Sequence, residues 1–304
     1  MNPRTITVLC GGLGGSRLVD ALARAAGAEA VTAVVNVGDD LEFLGLHVSP
    51  DLDTVLYTLA GLIDEERGWG VRDETYSARE TAGALGAETW FTLGDRDIGL
   101  HLVRTVALRS GEPLSSVTAR LAARLGVGVR LLPATDGELR TFVLTDAGEL
   151  DFQTWFVRRR HADRVLGVEY RGAAVPAPGV LDAIDAADLV VIAPSNPFVS
   201  IGPILAVEGV RAALAARGDV AAVSPIVGGR ALRGPLADML GALGFAPSAH
   251  GVADYYGDLV SAFVLDPADA RLAPEIRGAV VAPTVMVEPG SRAEVGRAIL
   301  EALT

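Results

Sequence analysis

Residues 5–40, TITVLCGGLGGSRLVDALARAAGAEAVTAVVNVGDD, decide the fold. Thr5–Cys10 is a short apolar, β-branched run bounded by glycine, and it reads as a buried strand. Gly11-Gly12-Leu13-Gly14-Gly15 turns the chain, Ser16–Ala26 reads as a helix, and Ala30–Val35 reads as a second strand ending at Asn36-Val37-Gly38-Asp39-Asp40. A strand, a helical crossover and another apolar strand open a parallel sheet.

Outward from this start the alternation continues. Asp51–Glu65 sets Leu52, Val55, Leu56, Leu59 and Leu62 on one helical face behind Ser49 and Pro50. Trp69–Leu125 is mostly helical in pattern, and Val129–Pro133, Arg140–Leu144, Glu149–Phe156 and Val165–Tyr170 read as strands. Regular alternation then resumes: helix Leu181–Ala187, strand Leu189–Ala193, helix Val207–Ala216, strand Val220–Val223, helix Pro235–Leu243, strand Ala262–Leu265, a last strand Thr284–Val287 and a closing helix Arg292–Leu303. The expected architecture is α/β, a Rossmann-like doubly wound, mostly parallel sheet forming a single domain over residues 1–304. Residues from about 60 to 170 are expected as an inserted or appended helix-rich region over the sheet edge, joined back to the core by Ala173–Gly179.

Half of the 304 residues are apolar, enough for a substantial core. The formal net charge of −12 repels nucleic acid and anionic membrane, so neither is an expected partner. The single cysteine, Cys10, can form no intramolecular disulfide and is expected as a buried structural thiol. Met1–Cys10 lacks the charged start and long apolar region of a signal peptide, and no run of about 18 apolar residues suggests a membrane span, so a cytoplasmic location is expected. All 26 basic residues are arginine, which excludes a Walker A lysine, a Schiff base and a lysine general base.

Four features carry chemistry. The Gly11–Gly15 loop lets backbone N–H groups approach a phosphate at a helix start, or is simply a tight turn. Arg17 stands where the dinucleotide fingerprint needs its last glycine, and no Gly-Lys-Ser/Thr follows. Asp39, Asp40, Asp51 and Asp53 fall in the loops after the second strand, as hard oxygen ligands for Mg²⁺ on substrate phosphates or as helix-start charges. Gly94-Asp95-Arg96-Asp97 opens an amphipathic segment that holds His101; it is either a surface charge patch or a means of setting Arg96 over a substrate. The loops Pro194–Pro203 and Ser224–Arg230 follow consecutive strands and bring Ser195, Asn196, Pro197, Ser200, Gly228 and Gly229 to one edge of the sheet. Phe152–Arg160 is an aromatic wall for a flat ring or a half-buried strand.

Taken together, the glycine loop with Arg17, Val34–Asp40, Pro50–Thr54, Arg67–Gly70, Arg72–Thr75, Leu93–Asp97, His101–Arg104, Phe152–Phe156, Ala193–Leu205 and Ser224–Gly229 resemble the 2-phospho-L-lactate transferase (CofD) family of deazaflavin coenzyme F(420) biosynthesis. The resemblance runs over nearly the whole chain and implies transfer of a phosphorylated three-carbon acid, 2-phospholactyl or phosphoenolpyruvyl, from a guanosine diphosphate donor to the deazaflavin alcohol Fo, with release of GMP. It implies Mg²⁺ as cofactor, a homodimer, and an acceptor-binding role for the region from about 60 to 170. By position, Asp53 and Arg96 match deazaflavin contacts. Asp39, Asp40 and Asp53 are expected metal ligands, with Asp40 and Asp53 as catalytic residues. Gly11, Gly12, Leu13, Gly14, Gly15, Ser195, Asn196, Pro197, Ser200, Gly228 and Gly229 are expected around the nucleotide. The competing reading is a non-enzymatic nucleotide-sugar regulator of the related gluconeogenesis-factor branch, which shares the glycine loop and the aspartate pair. An NAD-dependent oxidoreductase is weaker because of Arg17.

Overall fold

A computed structural model describes residues 5–172, 174–232 and 234–303; Met1–Arg4 of the leader reading and Ala173 of the expected join lie outside the described residues. Seven strands form the central sheet: β1 (Ile6–Cys10), β2 (Val31–Val35), β3 (Arg130–Pro133), β4 (Leu189–Ile192), β5 (Ala221–Val223), β6 (Ala262–Leu265) and β7 (Ala279–Val281). Their order is β3-β2-β1-β4-β5-β6-β7, and every pairing is parallel. This is the doubly wound order with one strand added at an edge.

The strands are apolar on both faces because both faces are covered. Ile6, Val8 and Cys10 point to one layer, where α1 (Gly12–Ala26), α2 (Pro50–Leu59) and the closing helix Arg292–Ala302 pack. Leu9 points the other way and joins Val190, Ile192 and Phe263 under the helices Val180–Ala186 and Val210–Arg217. Cys10 is fully buried, as expected of a structural thiol, and burial pushes its pKa well up. No single helix among the described residues is long and apolar enough to cross a membrane.

Local departures from the sequence reading have identifiable causes. The helix expected to reach Glu65 stops at Leu59, because Gly61 takes a left-handed conformation and the N–H groups of Leu62 and Ile63 turn back to the Tyr57 carbonyl. Leu41–Phe43 and Leu46–Val48 form a short hairpin through Gly45 that the sequence reading left out. The strand expected over Glu149–Phe156 ends at Asp151. The chain there tightens into a wide helical turn, Thr154–Arg158, that buries Trp155 and lets its indole N–H reach the Asp163 carbonyl at 3.1 Å. Thr284–Val287 is not a strand: Ala279–Val281 takes the sheet edge instead, and Thr284 is tied by its N–H and hydroxyl to the Asp266 carboxylate. Helix Ala249–Tyr256, capped by Ser248, also went unforeseen.

The interval from about 60 to 170 contributes more than cover. Its strand Arg130–Pro133 is β3, the edge of the central sheet, while Arg140–Thr145 sits between Gly148–Asp151 and Val165–Arg171 in a small antiparallel sheet. The chain winds outward in both directions from β1, so a crevice opens beyond the carboxyl ends of β1 and β4.

Candidate active site between β1 and β4

A cleft of about 650 Å³ lies at that crevice. Of the residues expected to act, Gly11, Gly12, Leu13, Gly14, Asp39, Asp53, Ser195, Asn196 and Ser200 line it; Gly15, Asp40, Arg96, Pro197, Gly228 and Gly229 do not.

Helix α1 already begins at Gly12, so four glycine-loop residues are its first turn. The glycines serve close packing. A Cβ on Gly14 would sit 2.4 Å from the Pro194 carbonyl oxygen, and one on Gly15 would sit 2.7 Å from Ser195 Oγ. Ser195 Oγ donates to the Gly11 carbonyl at 2.7 Å and accepts from the Gly11 N–H at 3.2 Å, clasping the two loops together. The free helix start holds a carboxylate of the chain itself: Gly12 N–H donates to Asp51 Oδ1 at 2.6 Å. Asn196 Oδ1 accepts from Phe198 and Val199 and so starts the turn that carries buried Pro197 and Ser200. The N–H groups of Gly228 and Gly229 donate to buried Asp269 at 2.7 and 3.1 Å, which leaves them no free donor for a nucleotide.

Asn36 organises the aspartates. Its buried amide donates to Asp39 Oδ1 at 3.1 Å and to Asp51 Oδ2 at 2.9 Å, and its carbonyl accepts from Gly38 N–H at 2.8 Å. Burial pushes Asp51 up to about 6 and Asp39 well above the ordinary carboxylate range, with repulsion from Asp51 and Asp40 adding to the latter. Gln153 Nε2 reaches Asp39 Oδ2 at 3.3 Å. Asp40 is turned aside: Oδ2 accepts from Ser49 Oγ at 2.8 Å and meets His47 Nε2 at 3.0 Å, while Oδ1 is buried with no hydrogen-bond partner. Asp53 is closed off differently. Both of its oxygens are held by the guanidinium of Arg104, which is itself 1% exposed, with the Oδ2 contact at 3.0 Å. Among the described residues no three acidic, histidine or cysteine groups are arranged to hold a metal unaided. Asp39 and Asp51 are the carboxylates that both line the cleft and lie side by side.

Arg96 is exposed, with its guanidinium on the Arg72 carbonyl at 3.0 Å. Its neighbours Asp97, His101 and Arg104, all on helix Asp95–Arg109, are buried instead. Burial raises Asp97 to about 6 and lowers His101 to about 4. The metal set implied by the resemblance, Asp39, Asp40 and Asp53, omits Asp51, and the sequence pattern marks neither His101 as a cleft residue nor Arg104 as a partner of Asp53. The signal available was the spacing: 97, 101 and 104 fall on one helical face.

Aromatic rings gather at the cleft. Trp69 is held from one side by the Arg67 guanidinium, 5.2 Å from its centroid, and Phe152 stacks on Phe156 at 5.3 Å. Trp69, Phe91, Phe152 and Phe156 all line the cleft.

A family model described as 2-phospho-L-lactate transferase CofD matches residues 6–280. The chain belongs to this family. Similar relatives include proteins named phosphoenolpyruvate transferase: one from Streptomyces griseus, 44% identical over 97% of each chain, one from Thermobifida fusca, 47% identical over 87% of each, and one from Nocardia farcinica, 43% identical over 97% of this chain and 94% of its own. This CofD-family chain is accordingly an enzyme, a transferase, and the non-enzymatic reading falls away. A solved member of the UPF0052 family from Bacillus halodurans covers 99% of both chains with a TM-score of 0.64 at 18% identity, a likeness of fold alone.

Proposed function

We propose that this enzyme moves a phosphorylated three-carbon acid, phosphoenolpyruvyl or 2-phospholactyl, from a guanosine diphosphate donor to the terminal hydroxyl of the deazaflavin alcohol Fo, releasing GMP. The observation that carries the reading is one cleft lined both by two Asn36-linked carboxylates at the β1–β4 crevice and by aromatic rings, in a chain of the CofD family. In the reaction the hydroxyl oxygen bonds to the phosphorus next to the three-carbon acid. The bond from that phosphorus to the bridging oxygen breaks, its electron pair leaves with GMP, and the hydroxyl proton passes to water.

The residues fit Mg²⁺. Asp39 and Asp51 are buried, repel one another and sit above their ordinary pKa range, so a divalent cation relieves what burial costs them. Mg²⁺ takes one or two carboxylates and completes its shell with water and phosphate oxygens. Asp39 and Asp51 would hold it, and it would supply charge neutralisation for the transferred phosphoryl group. Asp53, tied to Arg104, shapes the neighbouring wall. Trp69, Phe152 and Phe156 give the deazaflavin ring flat apolar surfaces.

The test is incubation of the purified protein with Fo, Mg²⁺ and an equimolar mixture of the enolpyruvyl and lactyl guanosine donors, followed by mass spectrometry. GMP and a phosphodiester of Fo are expected. The absence of product with both donors sinks the reading.

A further inference from the structure

Among the described residues the cleft offers a diphosphate few open cations. Arg17 is engaged by Glu65 at 2.9 Å, Arg104 is engaged by Asp53, and the chain has no lysine. Among the described residues, backbone N–H groups and neutral side-chain donors remain for anionic oxygens, and His101 is set up as one of the latter.

His101 is 2% exposed and lines the cleft beside Asp53. Its Nδ1 lies 3.3 Å from Arg104 Nη1 and 3.6 Å from Asp53 Oδ2. A guanidinium only donates, so Nδ1 is the bare, accepting nitrogen. The alternative, a protonated Nδ1, would face a donor at 3.3 Å and an acceptor too distant for a hydrogen bond. The groups facing the ring are Asp53 from α2, Arg104 from its own helix and His47 from the hairpin, and the guanidinium donor set against Nδ1 leaves no place for a proton there. A neutral ring with Nδ1 bare carries its proton on Nε2. Nε2 has no hydrogen-bond partner among the described residues.

We propose that His101 is a neutral hydrogen-bond donor whose Nε2–H binds an anionic oxygen of the phosphorylated substrate, its tautomer fixed by Arg104. Asp53 anchors Arg104, and Arg104 orients His101. The basic nitrogen is spent on Arg104, so His101 accepts no proton from the acceptor hydroxyl. This inference rests on the proposed function for the phosphorylated character of its ligand.

The chain contains four histidines, so a protein labelled with ¹⁵N-histidine gives a readable ring spectrum, with the His101 signals assigned by their loss in His101→Gln. At pH 7 the expected His101 ring is neutral with the proton on Nε2, and saturating GDP or inorganic pyrophosphate with Mg²⁺ moves that N–H resonance. A cationic ring, a proton on Nδ1, or a resonance unmoved by both anions overturns the proposal. His101→Gln keeps an N–H near the Nε2 position and should retain turnover to within about tenfold. His101→Met removes the donor and should lower kcat about 100-fold with little change in the KM for Fo. Equal losses in the two variants also overturn it. Where the Met variant fails to fold, the spectra decide alone. If the wild-type protein turns over neither guanosine donor, the proposed function fails, while the tautomer and the anion-induced shift still decide His101.

Discussion

Replacing Asp53 with alanine tests the reading of the site most directly, because the sequence and the structure predict different costs. As a charge at the start of α2, Asp53 would be worth under about 1 kcal/mol to stability. In the structure it is 5% exposed, and both of its oxygens bind Arg104, which is 1% exposed. A guanidinium cannot shed its proton at any pH the fold survives. Asp53→Ala therefore strands a buried positive charge and should cost about 3–5 kcal/mol. That is a large part of the roughly 5–15 kcal/mol available to a folded domain.

The assay is urea unfolding at pH 7 on the wild type, Asp53→Ala, Arg104→Met and the apolar pair Asp53→Leu with Arg104→Met. Each single variant should lose several kcal/mol. The apolar pair should return to within about 2 kcal/mol of the wild type, since apolar replacement of a buried ion pair is often neutral. A loss below about 1 kcal/mol in Asp53→Ala, or a double variant as unstable as the two singles summed, refutes the buried pair and with it the anchoring of His101.

Four further outcomes are expected. In metal-free protein Asp51 is held near 6 against an ordinary 3.8, so the native state keeps a proton that the unfolded chain gives up; the associated stability is present below about pH 4 and is lost as pH rises through about 6, amounting to about 3 kcal/mol, and Asp51→Asn should flatten this slope in unfolding measured with EDTA. By the same reasoning Mg²⁺ should raise the wild-type melting temperature more at pH 7 than at pH 5, with a smaller difference in Asp51→Asn, where Asp39 alone still titrates. Gly11→Ala would set a Cβ 2.2 Å from Asp51 Oδ2 and 2.8 Å from Ser200 Cβ, so it should cost about 1–3 kcal/mol and weaken Mg²⁺ binding measured by calorimetry. Trp69→Ala should raise the KM for Fo by the equivalent of about 1–3 kcal/mol of ring stacking while leaving donor KM unchanged, whereas exposed Arg96→Ala should alter both far less.

The fold was legible where one physical signal dominates. Strands buried on both faces are apolar or β-branched nearly throughout, so Ile6–Cys10, Val31–Val35, Leu189–Ile192 and Ala262–Leu265 announce themselves, and glycines between strand and helix mark the crossovers. Edges and short turns carry weaker signals. Ala279–Val281 is only half covered, and Thr284–Val287 has the same β-branched look without a ladder partner, so pattern alone favoured the wrong segment. The Leu41–Val48 hairpin is too short for alternation to register.

The site was legible as a list of residue types but not as a set of partnerships, and partnership is what assigns roles. Four aspartates within fifteen positions read alike in sequence. In three dimensions Asn36 joins Asp39 to Asp51, Ser49 and His47 draw Asp40 aside, and Arg104, fifty-one residues away, closes Asp53. The same holds for the glycines: Gly228 and Gly229 look like phosphate donors until Asp269 is seen to occupy their N–H groups, and Gly14 and Gly15 look like a phosphate cradle until Pro194 and Ser195 are seen pressed against them. Long-range pairing of this kind leaves no mark in local spacing. It decides which of the carboxylates stays open to a cation and which has already been given one by the protein.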